Sequence, residues 1–263
     1  MSDYVLTLSE QERTRFQLMA SHARRTEVQH WHDAGIVEGA TVADVGCGPG
    51  AMLAALARVV GPTGRVDGVD SNVEAAVRAD AEVSNLPQAT VRLGSATSSG
   101  LPAGSYDVAM CRHVLLHNQR IEQVIVDHLA SLVRPGGAVY LVESFQPGMT
   151  VTPPVPELDD LSDRYIELHR RRGNDLRTGT RLGVLLQAAG LEVETYACVA
   201  PVFQVPPGMR PGAWAARESL LADGLATPAD LERWAEVFAG LDLAHDRPWY
   251  FAATFVAIGR RLA

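Results

Sequence analysis

The segment from Val42 to Gly50 constrains the fold of this chain more than any other part of the sequence. It reads V-A-D-V-G-C-G-P-G, an apolar strand followed by three glycines at alternate positions, and a helical pattern begins directly after it. Glycines in such a turn adopt positive φ angles and lack the Cβ atom that would hold a ligand away from the backbone. The segment therefore predicts a strand, a ligand-binding turn and a helix, as at the start of an α/β fold.

The spacing of these glycines separates two kinds of nucleotide site. A dinucleotide-binding fingerprint has the form G-x-G-x-x-G, and starting at Gly48 it would require a glycine where Leu53 stands. The chain instead has D-x-G-x-G-x-G, with Asp44 two residues before Gly46. This pattern resembles the first motif of the class I S-adenosylmethionine (SAM)-dependent methyltransferases.

Two further segments fit the same resemblance. The stretch from Gly64 to Asp70 reads as a second strand that ends in a carboxylate, and a carboxylate at that strand end can accept hydrogen bonds from ribose hydroxyls. We expect Ser71 to Glu74 to form an S-x-x-E capping box for the next helix. A third strand, 90–93, leads into Gly94-Ser95-Ala96, where the family contacts adenine. A fourth strand, 106–111, precedes Arg112.

The resemblance covers roughly residues 36–145, with a looser match to residue 200. It implies a Rossmann-like α/β fold: a seven-stranded, mostly parallel sheet with helices on both faces and an antiparallel last strand, for which the sequence suggests residues 250–259. It also implies that SAM is the cofactor. The cofactor contacts assigned by the resemblance are Asp44, Gly46, Cys47, Gly48, Asp70, Ser71, Gly94, Ser95, Ala96 and Arg112.

Outside this core the chain adds helical material, which we expect to belong to the same single domain. Residues 1–35, where Ser9 to Glu12 reads as a capping box, are expected to form an N-terminal lid over the core, 36–145. Residues 144–177 and 201–247 are expected to cover the substrate, because substrate choice in such folds resides in what covers the carboxyl ends of the strands. Some aromatic side chains in the additions could enclose an acceptor, although we expect most of them to be ordinary core residues: Trp31, Tyr165, Phe203, Trp214, Trp234 and Trp249.

The charge and composition of the chain limit the kinds of molecule that it can bind. The net charge is −8 and all 23 basic residues are arginines, without the basic stripe that nucleic-acid binding requires. No apolar run approaches the roughly 20 residues needed to span a bilayer, and the first residues do not read as a secretory signal. We expect a cytoplasmic protein with a small-molecule acceptor, without a metal site; whether it forms a homo-oligomer is left open.

The candidate catalytic groups are two histidines after the fourth strand. His113 and His117 have i, i+4 spacing and lie close in sequence to the expected methyl-donor end of the cofactor. If the acceptor arrives protonated, a base is needed, and we expect His113 to serve before His117, which could instead be a packing residue.

The resemblance is to the small-molecule branch of the family, which includes ubiquinone/menaquinone-type and bacterial natural-product methyltransferases. It implies methyl transfer to an O-, N- or C-nucleophile. The alternative is a SAM-binding protein that does not methylate, such as a cyclase or a noncatalytic partner subunit.

Overall fold

The computed structural model describes residues 10–118 and 120–262. Within them the strands are β1 Thr41–Val45, β2 Arg65–Asp70, β3 Ala89–Leu93, β4 Tyr106–Arg112, β5 Val133–Ser144, β6 Thr150–Thr152, β7 Glu192–Val199, β8 Val202–Gln204, β9 Trp249–Phe251 and β10 Thr254–Arg260. The α-helices are α1 Glu10–Thr26, α2 Val28–Ala34, α3 Ala51–Val60, α4 Val73–Val83, α5 Glu122–Leu132, α6 Pro156–Arg171, α7 Leu182–Ala188, α8 Gly212–Ala215, α9 Arg217–Ala222 and α10 Pro228–Leu243.

The main sheet confirms the predicted fold class. Its seven strands lie in the order β3-β2-β1-β4-β5-β10-β7. The first five are parallel, and β10 runs antiparallel to both β5 and β7. The chain order reverses between β1 and β4, and in open α/β sheets ligands bind outside the carboxyl ends of the strands at such a switch point.

Apolar side chains cover both faces of this sheet, as expected for parallel strands between helix layers. Val42 and Val108 pack on one face with α3, whereas Ala43 and Ala109 pack on the other with α5 and α7. Because β1 is buried from Val42 to Val45, its carboxyl end is held rigidly beneath the glycine turn.

The added segments form a third apolar cluster beside the sheet. Leu161 and Leu168 of α6 pack there with Leu220 of α9 and with Trp234 and Phe238 of α10. Helix α10 begins at a capping box that Thr227 and Asp230 form. Strands β6, β9 and β8 form a separate antiparallel sheet of three strands.

Two local predictions were wrong. The last segment is not one strand over 250–259, because the chain leaves the small sheet after β9 and enters the main sheet at β10. The helix α4 is capped by Asn72 and not by Ser71, since the Asn72 side chain accepts a hydrogen bond from the Ala75 N–H at 3.0 Å. The predicted N-cap Ser9 lies outside the described residues.

In the part of the chain that is described, no helix has the length and apolar character needed to cross a membrane.

Candidate functional site

A cavity of about 590 Å³ opens at the carboxyl ends of the central strands. It is bounded by the glycine turn and the residues at the ends of β2 and β3, by α1, by α6 and by the segment around β8 and β9. All twelve site residues predicted from the sequence line this cavity: Asp44, Gly46, Cys47, Gly48, Asp70, Ser71, Gly94, Ser95, Ala96, Arg112, His113 and His117.

The three glycines of the turn have positive φ angles but different surroundings. A Cβ atom on Gly46 would lie 2.3 Å from Val114 Cγ2, and one on Gly50 would lie 2.7 Å from the Ala79 Cα. These two glycines therefore allow close packing within the protein. On Gly48 the nearest atom to an added Cβ would be Phe16 Cε1 at 3.8 Å, so this glycine is the one whose Cβ would occupy the cavity.

Asp70 ties the end of β2 to the glycine turn. Its Oδ2 accepts a hydrogen bond from the Gly48 N–H at 2.8 Å, and its Oδ1 accepts one from the Asn72 N–H at 2.8 Å. Burial raises the pKa of Asp70, and these backbone donors oppose that rise. Each carboxylate oxygen has two lone pairs, so both can accept further hydrogen bonds from a ligand.

Asp44 lies beneath the turn and is 2% exposed. Its Oδ2 has no hydrogen-bond partner among the described residues. Burial raises the pKa of Asp44 to about 7, with Arg112 opposing and Asp70 adding to the shift. A cationic group of a ligand placed here would favour the ionised carboxylate.

Ser95 stands at the open edge of the cavity. The Ser95 hydroxyl already has one hydrogen-bond partner, since its oxygen lies 2.9 Å from the hydroxyl oxygen of Thr97. Its predicted contact with adenine stays a prediction.

Arg112 is held by a residue that the sequence did not single out. Its guanidinium makes a two-pronged contact with Glu27, through Nη1 to Oε2 and through Nη2 to Oε1, the latter at 3.0 Å. The Tyr140 hydroxyl also donates to Glu27 Oε2, at 2.8 Å. Burial raises the pKa of Glu27, but Arg112 and Tyr140 outweigh burial and the net shift is downward. Glu27 therefore stays ionised and links the junction of α1 and α2 to β4 and β5.

Comparison with known proteins identifies the family of this chain. Residues 15–196 match the family described as a methyltransferase domain, which is more than half of the chain. The chain belongs to this methyltransferase family. SAM is the cofactor of such a domain.

Several curated proteins are similar to part of this chain. This chain is 32% identical over 166 residues to an uncharacterized 37.1 kDa protein in transposon TN4556 of Streptomyces fradiae, covering 63% of this chain and 47% of that one. It is 35% identical over 111 residues to nocamycin O-methyltransferase of Saccharothrix syringae, covering 41% and 39%. It is 30% identical over 114 residues to demethylmenaquinone methyltransferase of Bacillus licheniformis, covering 43% and 49%. The matched region thus spans about half or less of each relative.

Solved structures share the fold of this chain. A SAM-dependent methyltransferase from Aquifex aeolicus has a TM-score of 0.53 at 19% identity, over 70% of this chain and 90% of that one. The [4+2]-cyclase SpnF has a TM-score of 0.55 at 17% identity, over 95% of this chain and 81% of that one. At these identities the likeness concerns the fold alone.

The two predicted catalytic histidines lie on a turn that a buried acid holds in place. His113 has a positive φ of 54°, uncommon for a residue with a side chain. Glu143 fixes the following residues, because its Oε1 accepts from the Val114 N–H at 3.0 Å and from the Leu115 N–H at 2.7 Å. Glu143 is fully buried, and burial raises its pKa to about 8.

The surroundings of both histidines weaken them as bases. Burial lowers the pKa of His113 to about 3, with Arg112 adding to the effect. Burial also lowers the pKa of His117 to about 3, with His169 adding to it, and the rings of His117 and His169 are 5.0 Å apart. Both imidazoles are therefore neutral at ordinary pH and poor proton acceptors. Their catalytic role stays a prediction.

The aromatic residues expected around the acceptor divide into two groups. Tyr165 and Phe203 line the cavity. Trp31 and Trp234 belong instead to apolar cores, Trp214 packs against the Phe238 ring at 5.2 Å, and Trp249 is 54% exposed. None of these four tryptophans lines the cavity, and bulky aromatic rings serve cores as readily as pockets.

Replacement of Asp70 by alanine should weaken SAM binding by about 1.5–3 kcal/mol, or about 10- to 150-fold in Kd. The change removes the ribose acceptor and also frees the N–H of Gly48. Calorimetric titration with SAM measures the effect. Asp70→Asn is the matched control, since it keeps one acceptor oxygen and should lose less affinity. Unchanged binding in a folded Asp70→Ala protein would contradict the assignment.

Between pH 6 and 9, the pH dependence of the methyl-transfer rate should contain no change that arises from ionisation of His113 or His117. A pKa of about 3 in the folded protein, against an ordinary value of 6.5, leaves both rings neutral throughout that range. If neutral His113 accepts a proton in the transition state, His113→Asn should lower kcat about 100-fold at every pH. His117→Asn should change kcat less. The measurement is a pH–rate profile of the three proteins; wild-type turnover in His113→Asn would contradict the role of His113.

Proposed function

We propose that this chain transfers the methyl group of SAM to a small apolar or aromatic molecule with an O-, N- or C-nucleophile. The observation that carries the proposal is the single cavity that joins the glycine turn to Tyr165 and Phe203. Such a cavity could hold cofactor and acceptor side by side, and alignment of two reactants can supply much of the rate of a displacement.

SAM would lie at the end of the cavity next to the glycine turn. Asp70 would accept hydrogen bonds from the ribose, and Gly94, Ser95 and Ala96 would border the adenine. Asp44 and Arg112 carry opposite charges at the wall, which suits the ammonium and carboxylate of the methionine part. Gly46, Cys47, Gly48 and Ser71 would contribute backbone contacts. When bound, SAM supplies a methyl group on a sulfonium and leaves as S-adenosylhomocysteine.

The added segments would close the cavity over the acceptor. Phe16 and Met19 of residues 1–35 line it, as do Gln146 and Tyr165 of residues 144–177. From residues 201–247, Phe203 and Met209 also line it. We infer that these three segments cover the substrate in one methyltransferase domain. Largely apolar side chains at this end favour an acceptor with an apolar body.

Transfer of labelled methyl from SAM to a panel of phenols, quinols and small amines tests the proposal. Label should appear in an extractable product and SAM should be consumed in equal amount. Asp70→Ala is the control: its affinity for SAM should be lower than that of wild type, so its rate of label transfer should be lower as well if transfer depends on this site.

The second reading is a SAM-binding enzyme that does not methylate. It is favoured by the weak basicity of His113 and His117, and a [4+2]-cyclase is among the structures that share this fold. In that case a substrate would be converted while SAM remained intact. Quantifying SAM and product in the same reaction distinguishes the two readings.

A further inference from the structure

A second and smaller cavity lies beside the one described above. Its volume is about 60 Å³, and its walls come from β6, α6, the loop after β8 and the C-terminal part of α10. The described residues that line it include none of the twelve site residues predicted from the sequence. The smaller cavity therefore lies apart from the region that we assign to the cofactor.

The two cavities share part of their walls. Several residues line both of them, among them Gln146, Met149, Met209, Arg210 and Tyr250. A residue that lines both cavities lies between them, so we call these residues the partition. Only the thickness of the partition separates the smaller cavity from the larger one.

The partition borders the region that we assign to the acceptor. Phe203 lines the larger cavity but not the smaller one, and its ring lies 5.6 Å from the ring of Tyr250 in the partition. The smaller cavity is therefore a side branch of the acceptor region.

Two methionines are the parts of the partition that can move most easily. A methionine side chain is unbranched, has three rotatable bonds and adapts its shape to its surroundings. The Tyr250 hydroxyl donates to Met149 Sδ at 3.0 Å, but a thioether is only a weak acceptor. Rotation of Met149 or Met209 would therefore break no strong hydrogen bond of the sulfur atom.

The walls of the smaller cavity are largely apolar. Side chains from four different segments contribute to them: Val151, Leu158, Val205, Phe238 and Leu241. Transfer of an alkyl group from water to such surroundings is favourable, by about fourfold in affinity for each buried methylene.

The charged groups in these walls do not require a charged ligand. Arg210 makes two contacts with Asp242, at 3.1 and 2.7 Å, and the Gly208 N–H also donates to Asp242, at 2.8 Å. The Arg210 guanidinium carbon lies 4.6 Å from the centre of the Phe238 ring. Asp159 is exposed to solvent. An apolar group could therefore enter without separating a buried ion pair.

We propose that the smaller cavity binds the end of an alkyl chain of the acceptor, so that the preferred substrates carry a flexible apolar chain in addition to their nucleophile. This inference rests on the proposed function, since it names the substrate class of that site. The chain would pass the partition where Met149 or Met209 turns aside. The volume fits a chain end of about two carbons, because one water takes up roughly 30 Å³ in the liquid and a methylene is of similar size.

Binding of two matched probes tests this proposal without a known acceptor. The full chain is first saturated with S-adenosylhomocysteine, which fills the cofactor site, and is then titrated with 4-methylphenol and with 4-pentylphenol. The two probes share the phenol ring and differ only in the length of the chain. Wild type should bind 4-pentylphenol at least about tenfold more tightly than 4-methylphenol.

Filling the smaller cavity then shows where the chain lies, since a chain held in the larger cavity would also add affinity. Ser162 of α6 lines only the smaller cavity. Ser162→Leu should weaken binding of 4-pentylphenol by about 15-fold, the contribution of two buried methylenes, and should bind 4-methylphenol as wild type does. Leu241→Phe fills the same cavity from α10 and should show the same pattern.

Ser131→Leu is the matched control. It makes the same change at an exposed helical position, on α5, that lines neither cavity. It should bind both probes as wild type does. Affinity for S-adenosylhomocysteine shows that each variant is folded.

Three results would overturn the proposal. Wild type could bind both probes equally, or it could bind neither of them. Ser162→Leu and Leu241→Phe, both folded, could keep the preference of wild type, which would place the chain entirely in the larger cavity. Because these are binding measurements, they are independent of the methyl-transfer assay, whose failure would count against the proposed function alone.

Discussion

Replacement of Glu27 by alanine is expected to lower the free energy of unfolding by about 3–5 kcal/mol, the usual cost of removing one partner of a buried ion pair. Glu27 is 4% exposed and accepts hydrogen bonds from both Arg112 and Tyr140. Its removal leaves the Arg112 guanidinium buried without its carboxylate and the Tyr140 hydroxyl without its acceptor. Urea unfolding at neutral pH measures the loss.

Two controls separate the charge from the packing. Glu27→Gln keeps an oxygen for Tyr140 but loses the ionic contact, so it should fall between wild type and Glu27→Ala. The double variant Glu27→Ala/Arg112→Met should recover much of the stability, because no unpaired charge remains buried. A loss below about 1 kcal/mol in Glu27→Ala, the range of an exposed pair, would show that water reaches Arg112.

The Glu27 contact also links the N-terminal helices α1 and α2 to the end of β4. Glu27 lies between α1 and α2, whereas Arg112 lies at the carboxyl end of β4 beside Asp44. One buried carboxylate thus fixes both the direction of the N-terminal helices and the position of a guanidinium in the cavity wall. Weaker SAM binding should accompany the loss of stability in Glu27→Ala.

The residues that the sequence assigned to the cofactor line one cavity, and the sequence could group them because each is marked by a local pattern at a strand end. The D-x-G-x-G-x-G turn, the carboxylate at Asp70 and the Gly94-Ser95-Ala96 stretch each follow a strand. Parallel strands bring their carboxyl ends to one edge of the sheet, so residues far apart in sequence meet in one cavity. The number of strands and the antiparallel last strand followed from the resemblance and not from the pattern itself, whereas the order of the strands came only from the structure.

Long-range contacts were beyond the reach of the sequence. Glu27 stands in a polar helical stretch that reads as solvated, and only the folded chain brings it to Arg112, 85 residues away. Glu143 ends an apolar strand, and its role in holding the turn of His113 depends on backbone groups 28 and 29 residues away. The low basicity of both histidines likewise reflects burial, which exists only in the fold.

Substitution of valine for Gly48 should abolish useful SAM binding, with a loss of at least about 100-fold in affinity. Gly48 has a φ of 54°, which is strained for a β-branched residue by about 1–3 kcal/mol. The added side chain would also project into the cavity, toward Phe16. Both effects oppose close approach of a ligand to this backbone. The backbone N–H at position 48 is still present in the valine variant, so its hydrogen bond to Asp70 is not the interaction that is lost.

Gly104→Val separates backbone strain from obstruction of the cavity. Gly104 has a comparable φ of 63° and no atom within 4 Å of an added Cβ, and it does not line the cavity. It should therefore lose stability to a similar degree while binding SAM as wild type does. Calorimetric titration and thermal unfolding of both variants measure the two quantities. SAM binding by a folded Gly48→Val protein at wild-type affinity would mean that the cofactor does not approach the turn at Gly48, because a side chain there would then meet no ligand.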